Sequence, residues 1–155
     1  MYMEYVDQDV VQRVWQRVKS PQLPVQTAQA RPKGMEECIL EEWQTGQRYI
    51  ALQTLPEFRG NPLLKQLSDQ KQQQLLCLKG IYRLSMNAGC RIPAVQPKSE
   101  PAAVLLRKCY GSLLRCCGFY ASNTVNPEFR DAYNQLLEQN RQQLYAVLVF
   151  LGGLK

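Results

Sequence analysis

The sequence predicts an all-α protein: a four-helix bundle of two antiparallel hairpins joined by a long crossover, with an extra helix at the N-terminus. Three observations carry that expectation. Apolar residues recur with helical spacing through most of the chain, no segment alternates as a strand would, and glycine and proline fall almost entirely in the breaks. At 155 residues the chain is one domain in length, able to bury about two thirds of its unfolded surface in a single core.

Residues 1–34 read as an N-terminal helix and a linker. In 7–19, "DQDVVQRVWQRVK", Val10, Val11, Val14, Trp15 and Val18 share one side of a helix, with Asp7 or Asp9 near its start. The stretch 20–34, "SPQLPVQTAQARPKG", has three prolines and no apolar period, which predicts an extended linker on the surface.

The bundle proper is expected over 35–155. Its first helix starts at Met35, shows Ile39, Trp43, Tyr49 and Ile50, and ends near "LPEFRGNP" at 55–62. The second covers about 62–87, with Leu64, Leu67, Leu75, Leu78, Ile81, Tyr82 and Leu84 apolar. After "NAGCRIPAVQPKSEP" a third helix covers about 101–121, with Pro101 in its first turn. Asn126 before Pro127 reads as the cap of a fourth helix that runs to about 151.

Loop lengths set the expected topology. Short loops within each helix pair predict antiparallel hairpins. The segment 88–100 can extend to about 40 Å, enough to run the length of a helix of about 23 residues, so it reads as a crossover from one end of the bundle to the other.

Composition narrows the function. The 19 Lys and Arg against 13 Asp and Glu are scattered and form no stripe that would track a phosphate backbone, which argues against nucleic acid. The strongest apolar run, 144–154, is too short for a bilayer, and the opening "MYMEYVDQDVV" has no signal-peptide core, so a cytoplasmic location is expected, without membrane attachment. The six cysteines then read as reduced thiols packed as small hydrophobes. With no histidine in the chain, Ser-His and Cys-His catalytic pairs are excluded, and no glycine-rich phosphate loop occurs.

An internal repeat singles out the candidate site. "KQQQL" at 71–75 returns as "NRQQL" at 140–144; Tyr49 follows Glu42 by seven residues, and Tyr120 follows Leu113 by seven. Seven residues are close to two turns, so each pair shares a face. Lys71 lies 29 residues after Glu42 and Asn140 lies 27 after Leu113, so the hairpins also repeat in length.

On these residues, over roughly 35–152, the chain resembles the ferritin-like, rubrerythrin-type superfamily. The resemblance implies a di-iron or di-manganese site in which each hairpin supplies one Glu from its first helix and a Glu-x-x-His from its second. An i, i+3 pair lies on one helix face and can grip one ion. Anchored on "LKGIYRL" at 78–84 and on the tyrosines, the frame places Glu42 at a ligand position. It puts Lys71 and Gln74 where the first Glu-x-x-His stands, Leu113 where the second Glu stands, and Asn140 and Gln143 where the second Glu-x-x-His stands. One carboxylate remains and neither imidazole.

The expectation is therefore a degenerate di-iron site in a non-catalytic scaffold or interaction protein. No cofactor is expected; the partners are another protein or a second copy of the chain. A metal-free polar centre would rest on a Glu42–Lys71 ion pair completed by Gln74, Asn140 and Gln143, unless Lys71 reaches out to solvent. Alternatives are iron held in a shifted register through Asp69 or Glu138, a rubrerythrin-type oxidoreductase, or copper or zinc on Cys38, Cys116 and Cys117, which the topology places at one level of the bundle.

Overall fold

The computed structural model describes the backbone of residues 23–92 and 98–154, with side chains of the first helix from residue 34 onward. The expected helix at 7–19 lies outside the described residues. Within them the chain is a helical bundle without strands: α1 (Leu23–Gln53), a 3-10 turn (Pro56–Phe58), α2 (Pro62–Met86), α3 (Ala102–Asn123) and α4 (Arg130–Gly153).

The longest helix corrects the sequence reading. α1 has 31 residues and passes through the boundary expected at residue 34, so residues 23–34 are helical and not an extended linker. Pro24 falls in the first turn, where its missing N–H costs nothing, and "QTAQA" at 26–30 consists mostly of good helix formers. Only Pro32 removes an interior backbone hydrogen bond. Gly34 then lets α1 approach α3, since a Cβ there would stand 3.0 Å from the Phe119 ring.

Caps explain the other boundaries. Asn61 accepts the Leu64 N–H at 3.1 Å and Pro62 follows it as the first helical residue of α2. At the far end Asn87 adopts the left-handed conformation, φ 54°, and its N–H returns to the Arg83 carbonyl at 2.9 Å. Pro101 stands one residue outside α3, where its carbonyl accepts the Leu105 N–H. Asn126 does not cap α4: its side chain accepts the Glu128 N–H in a turn, and the helix starts only at Arg130, after Phe129. An asparagine that closes its own local turn satisfies the donor that a helix would otherwise present.

Side-chain pairings give the helix directions. From Cys38 through Glu41 to Arg48, α1 meets α3 at Cys116, Arg115 and Ser112 in descending order, so the two are antiparallel. Contacts of Glu36 with Tyr82 and Glu42 with Lys71 make α1 and α2 antiparallel as well. Glu42 with Asn140 and Tyr49 with Gln143 make α1 and α4 parallel. α2 and α3 therefore run the same way, and the end of α2 and the start of α3 lie at opposite ends of the bundle. α1 packs closely on α2 and α3, and α3 on α4, while α2 and α4 touch only sparsely.

The core is split in two. One apolar cluster centres on Ile39, Leu78, Cys116, Tyr120 and Tyr133, the other on Leu52, Leu64, Leu105, Leu106 and Val147. Between them lies a buried polar layer containing Glu42, Lys71, Gln74, Asn140 and Gln143.

Candidate functional site

Three helices, α1, α2 and α4, build the polar layer because their apolar stripes are interrupted at one level. On α2, Lys71 and Gln74 fall between Leu67 and Leu78 on the inward face; on α4, Asn140 and Gln143 fall between Leu136 and Val147. The i, i+3 spacing stacks each pair one turn apart, aimed at Glu42 across the bundle. Gly46 on α1 makes room: a Cβ there would touch Lys71 Cγ at 3.4 Å.

Lys71 does not reach solvent. Its side chain and that of Glu42 are both 0% exposed, and Lys71 Nζ donates to Glu42 Oε1 at 2.7 Å and to Asn140 Oδ1 at 3.0 Å. Asn140 Nδ2 donates back to Glu42 Oε2 at 3.0 Å, so the carboxylate spans ammonium and amide. Gln74 Nε2 donates to Asn140 Oδ1 at 3.0 Å, and Gln143 Nε2 donates to Gln74 Oε1 at 3.0 Å and to Gln70 Oε1 at 2.8 Å. A lone buried charge costs several kcal/mol, about, whereas here each charge faces its opposite and the remaining lone pairs and protons are shared by amides.

Two tyrosines complete the network. Tyr120 OH donates to Glu42 Oε2 at 2.5 Å, and Tyr49 OH donates to Gln143 Oε1 at 2.8 Å. Burial, and then the Glu42 charge, push the Tyr120 phenol well above its ordinary range; burial and neighbouring Cys109 do the same for Tyr49. Both hydroxyls thus stay protonated donors. Their spacing stood out in the sequence as part of the repeat, but their bonds into the opposite hairpin did not.

Several sequence-derived candidates stand elsewhere. Leu113 is buried in an apolar cluster. Asp69 is exposed and pairs with Lys65 at 3.6 Å, and exposed Glu138 pairs with Arg141. Glu41, beside Glu42 in sequence, turns outward to Arg115, whose Nε approaches at 2.7 Å, and to Ser112. Cys38, Cys116 and Cys117 do share one level and one apolar cluster, with Cys116 Sγ 3.7 Å from the Cys38 carbonyl. Contact with Cys38 and burial push the Cys116 thiol up, and burial pushes Cys117 up to about 12. Cys116 and Cys117 are protonated, apolar-packed thiols. Among the described residues no three Cys, Asp or Glu side chains are grouped so as to hold a metal ion.

No family model, curated protein or solved structure matches this chain. Its own geometry carries the functional reading. A di-iron cluster does not fit the donors at the centre, where an ammonium occupies one oxygen of the only central carboxylate among the described residues and the other groups are neutral amides and phenols. Among the described residues no helix is long and apolar enough to cross a membrane.

Proposed function

We propose that this is a ferritin-like protein in which the di-iron positions have become a metal-free polar lock, and that it acts as a scaffold or interaction protein. The observation that carries the reading is Lys71 Nζ at the bundle centre, 2.7 Å from Glu42. A cation delivered by the chain itself stands where a ferritin-like frame would place metal charge, and it neutralises the one central carboxylate. The repeated hairpins and the parallel α2 and α3 support the ferritin-like part of the reading.

The interaction role draws on the surface. Leu76 and Leu84 on α2 are 64% and 75% exposed, and Val125 beyond α3 is 63% exposed. Such apolar side chains suit contact with another protein or a second copy of the chain. A cytoplasmic setting agrees with the reduced, buried thiols.

The test is elemental analysis of untagged protein made in iron-, copper- and zinc-supplemented medium, combined with light scattering to read self-association. Less than about a tenth of an ion per chain is expected. Near-stoichiometric iron would overturn the lock and restore the rubrerythrin-type oxidoreductase; near-stoichiometric copper or zinc would move function to Cys38, Cys116 and Cys117.

A further inference from the structure

The polar layer holds more than an ion pair. A primary amine, a carboxamide and a carboxylate that touches both are enclosed together: Lys71 Nζ stands 3.0 Å from Asn140 Oδ1, and Glu42 reaches Nζ through Oε1 at 2.7 Å and Asn140 Nδ2 through Oε2 at 3.0 Å. Nucleophile, electrophile and proton carrier are in one water-poor compartment, each 0% exposed. Held groups of this kind gain effective concentrations far above those reached in solution.

We propose that Lys71 and Asn140 become joined by an intramolecular isopeptide bond, with Glu42 carrying the protons. The inference rests on the metal-free reading of the centre, because a metal ion on Glu42 would occupy the carboxylate.

The steps balance without an oxidant or a second reactant. Glu42 Oε1 takes one proton from the Lys71 ammonium, and the resulting neutral amine and neutral acid suit apolar surroundings. Nζ turns the lone pair left by that proton from Glu42 towards Asn140 Cγ and forms the new C–N bond, while the carbonyl π pair moves to Oδ1. Gln74 Nε2, 3.0 Å from Oδ1, donates to the oxyanion as it develops. Collapse restores the C=O and breaks Cγ–Nδ2, and the Glu42 carboxyl turns so that its protonated oxygen faces Nδ2 and delivers the proton there. Ammonia departs. The second proton released from Nζ stays on Glu42, which ends as a neutral acid beside the new secondary amide. Five hydrogens on Nζ and Nδ2 at the start are one on the amide, three in ammonia and one on Glu42 at the end.

The bond would link α2 to α4, a pair of helices that touch only sparsely. It would tie the two hairpins covalently where packing ties them weakly.

The test is intact-mass spectrometry of denatured wild-type protein after prolonged incubation at neutral pH, followed by tryptic mapping, with elemental analysis of the same sample. The expected mass is about 17 Da below that of the sequence, the loss of one ammonia. The expected digest joins peptide 66–79, uncleaved after Lys71, to peptide 131–141. Lys71→Arg retains a cation but cannot form this bond, and its mass should equal its own sequence; Glu42→Gln should likewise stay unlinked. Metal-free wild-type protein at full sequence mass, cleaved normally after Lys71, would overturn the bond and leave the lock standing. An ammonia loss mapping elsewhere would overturn it too. Retained iron would remove the metal-free reading, and the bond with it.

Discussion

Lys71 Nζ and Glu42 Oε1 stand 2.7 Å apart, 29 residues distant in sequence, with neither side chain exposed to solvent. The neighbouring Glu41 makes its own ion pair with Arg115, but at the surface, where the Arg115 side chain is 63% exposed. Two adjacent glutamates on one helix therefore hold very different electrostatic positions.

That difference is measurable by urea unfolding. Glu42→Gln leaves a buried ammonium without its counter-charge, and Lys71→Met leaves a buried carboxylate; each should lower stability by about 3–5 kcal/mol. Glu41→Gln, whose pair is screened by water, should lower it by less than about 1 kcal/mol. Equal losses at 41 and 42 would contradict the buried lock.

Two glycines give opposite expectations. Nothing lies within 4 Å of a Cβ built on Gly80, so Gly80→Ala should raise stability by about 0.5–1 kcal/mol through helix propensity alone. At Gly34 the new methyl meets Phe119 at 3.0 Å, and that ring also packs edge-on against Tyr120 and Tyr133. Gly34→Ala should therefore lower the thermal midpoint, by the equivalent of about 1 kcal/mol.

Alkaline pH should unfold the protein earlier than surface titration would suggest. Burial pushes Cys109 and Cys117 from their ordinary 9.0 up to about 12, and Tyr49 and Tyr120 well above 10.0. Above pH 9 the unfolded chain releases protons that the folded chain keeps, so unfolding free energy falls as pH rises towards about 12. Below pH 9 these groups add no slope. A flat stability profile from pH 9 to 11 in chemical denaturation would contradict this.

The thiols should separate into two classes under a thiol-reactive dye. Cys77 is exposed and Cys90 half-buried, so these two should label first in the native protein; Cys38, Cys109, Cys116 and Cys117 are buried and should label only at the rate of opening. Fast labelling of all six would be incompatible with the core described above.

The cores of the four helices were legible in the sequence from periodicity, and the pairing of Glu42 with Lys71 was expected from the ferritin-like frame laid on the repeat, against the alternative that Lys71 reaches solvent. The helical path of residues 23–34 was not legible, since three prolines read as a break although one of them falls at a tolerant position. The start of α4 was misplaced because an asparagine before a proline serves a turn as well as it serves a helix. Tyr120 and Tyr49 were visible as a repeat, but which hairpin their hydroxyls reach depends on the tilt of whole helices, which no local pattern encodes.

The polar layer also bears on how the chain folds. Glu42, Lys71 and Gln74 come from one hairpin, and Asn140, Gln143 and Tyr120 from the other. Neither hairpin alone can satisfy its share, so half-assembled states hold underbonded polar groups in a would-be interior. Such states are high in free energy, and the bonds that relieve them join residues far apart in the chain, which slows the search while sharpening the final transition. Amide exchange should accordingly report one opening event shared by α1, α2, α3 and α4, with no surviving half-molecule.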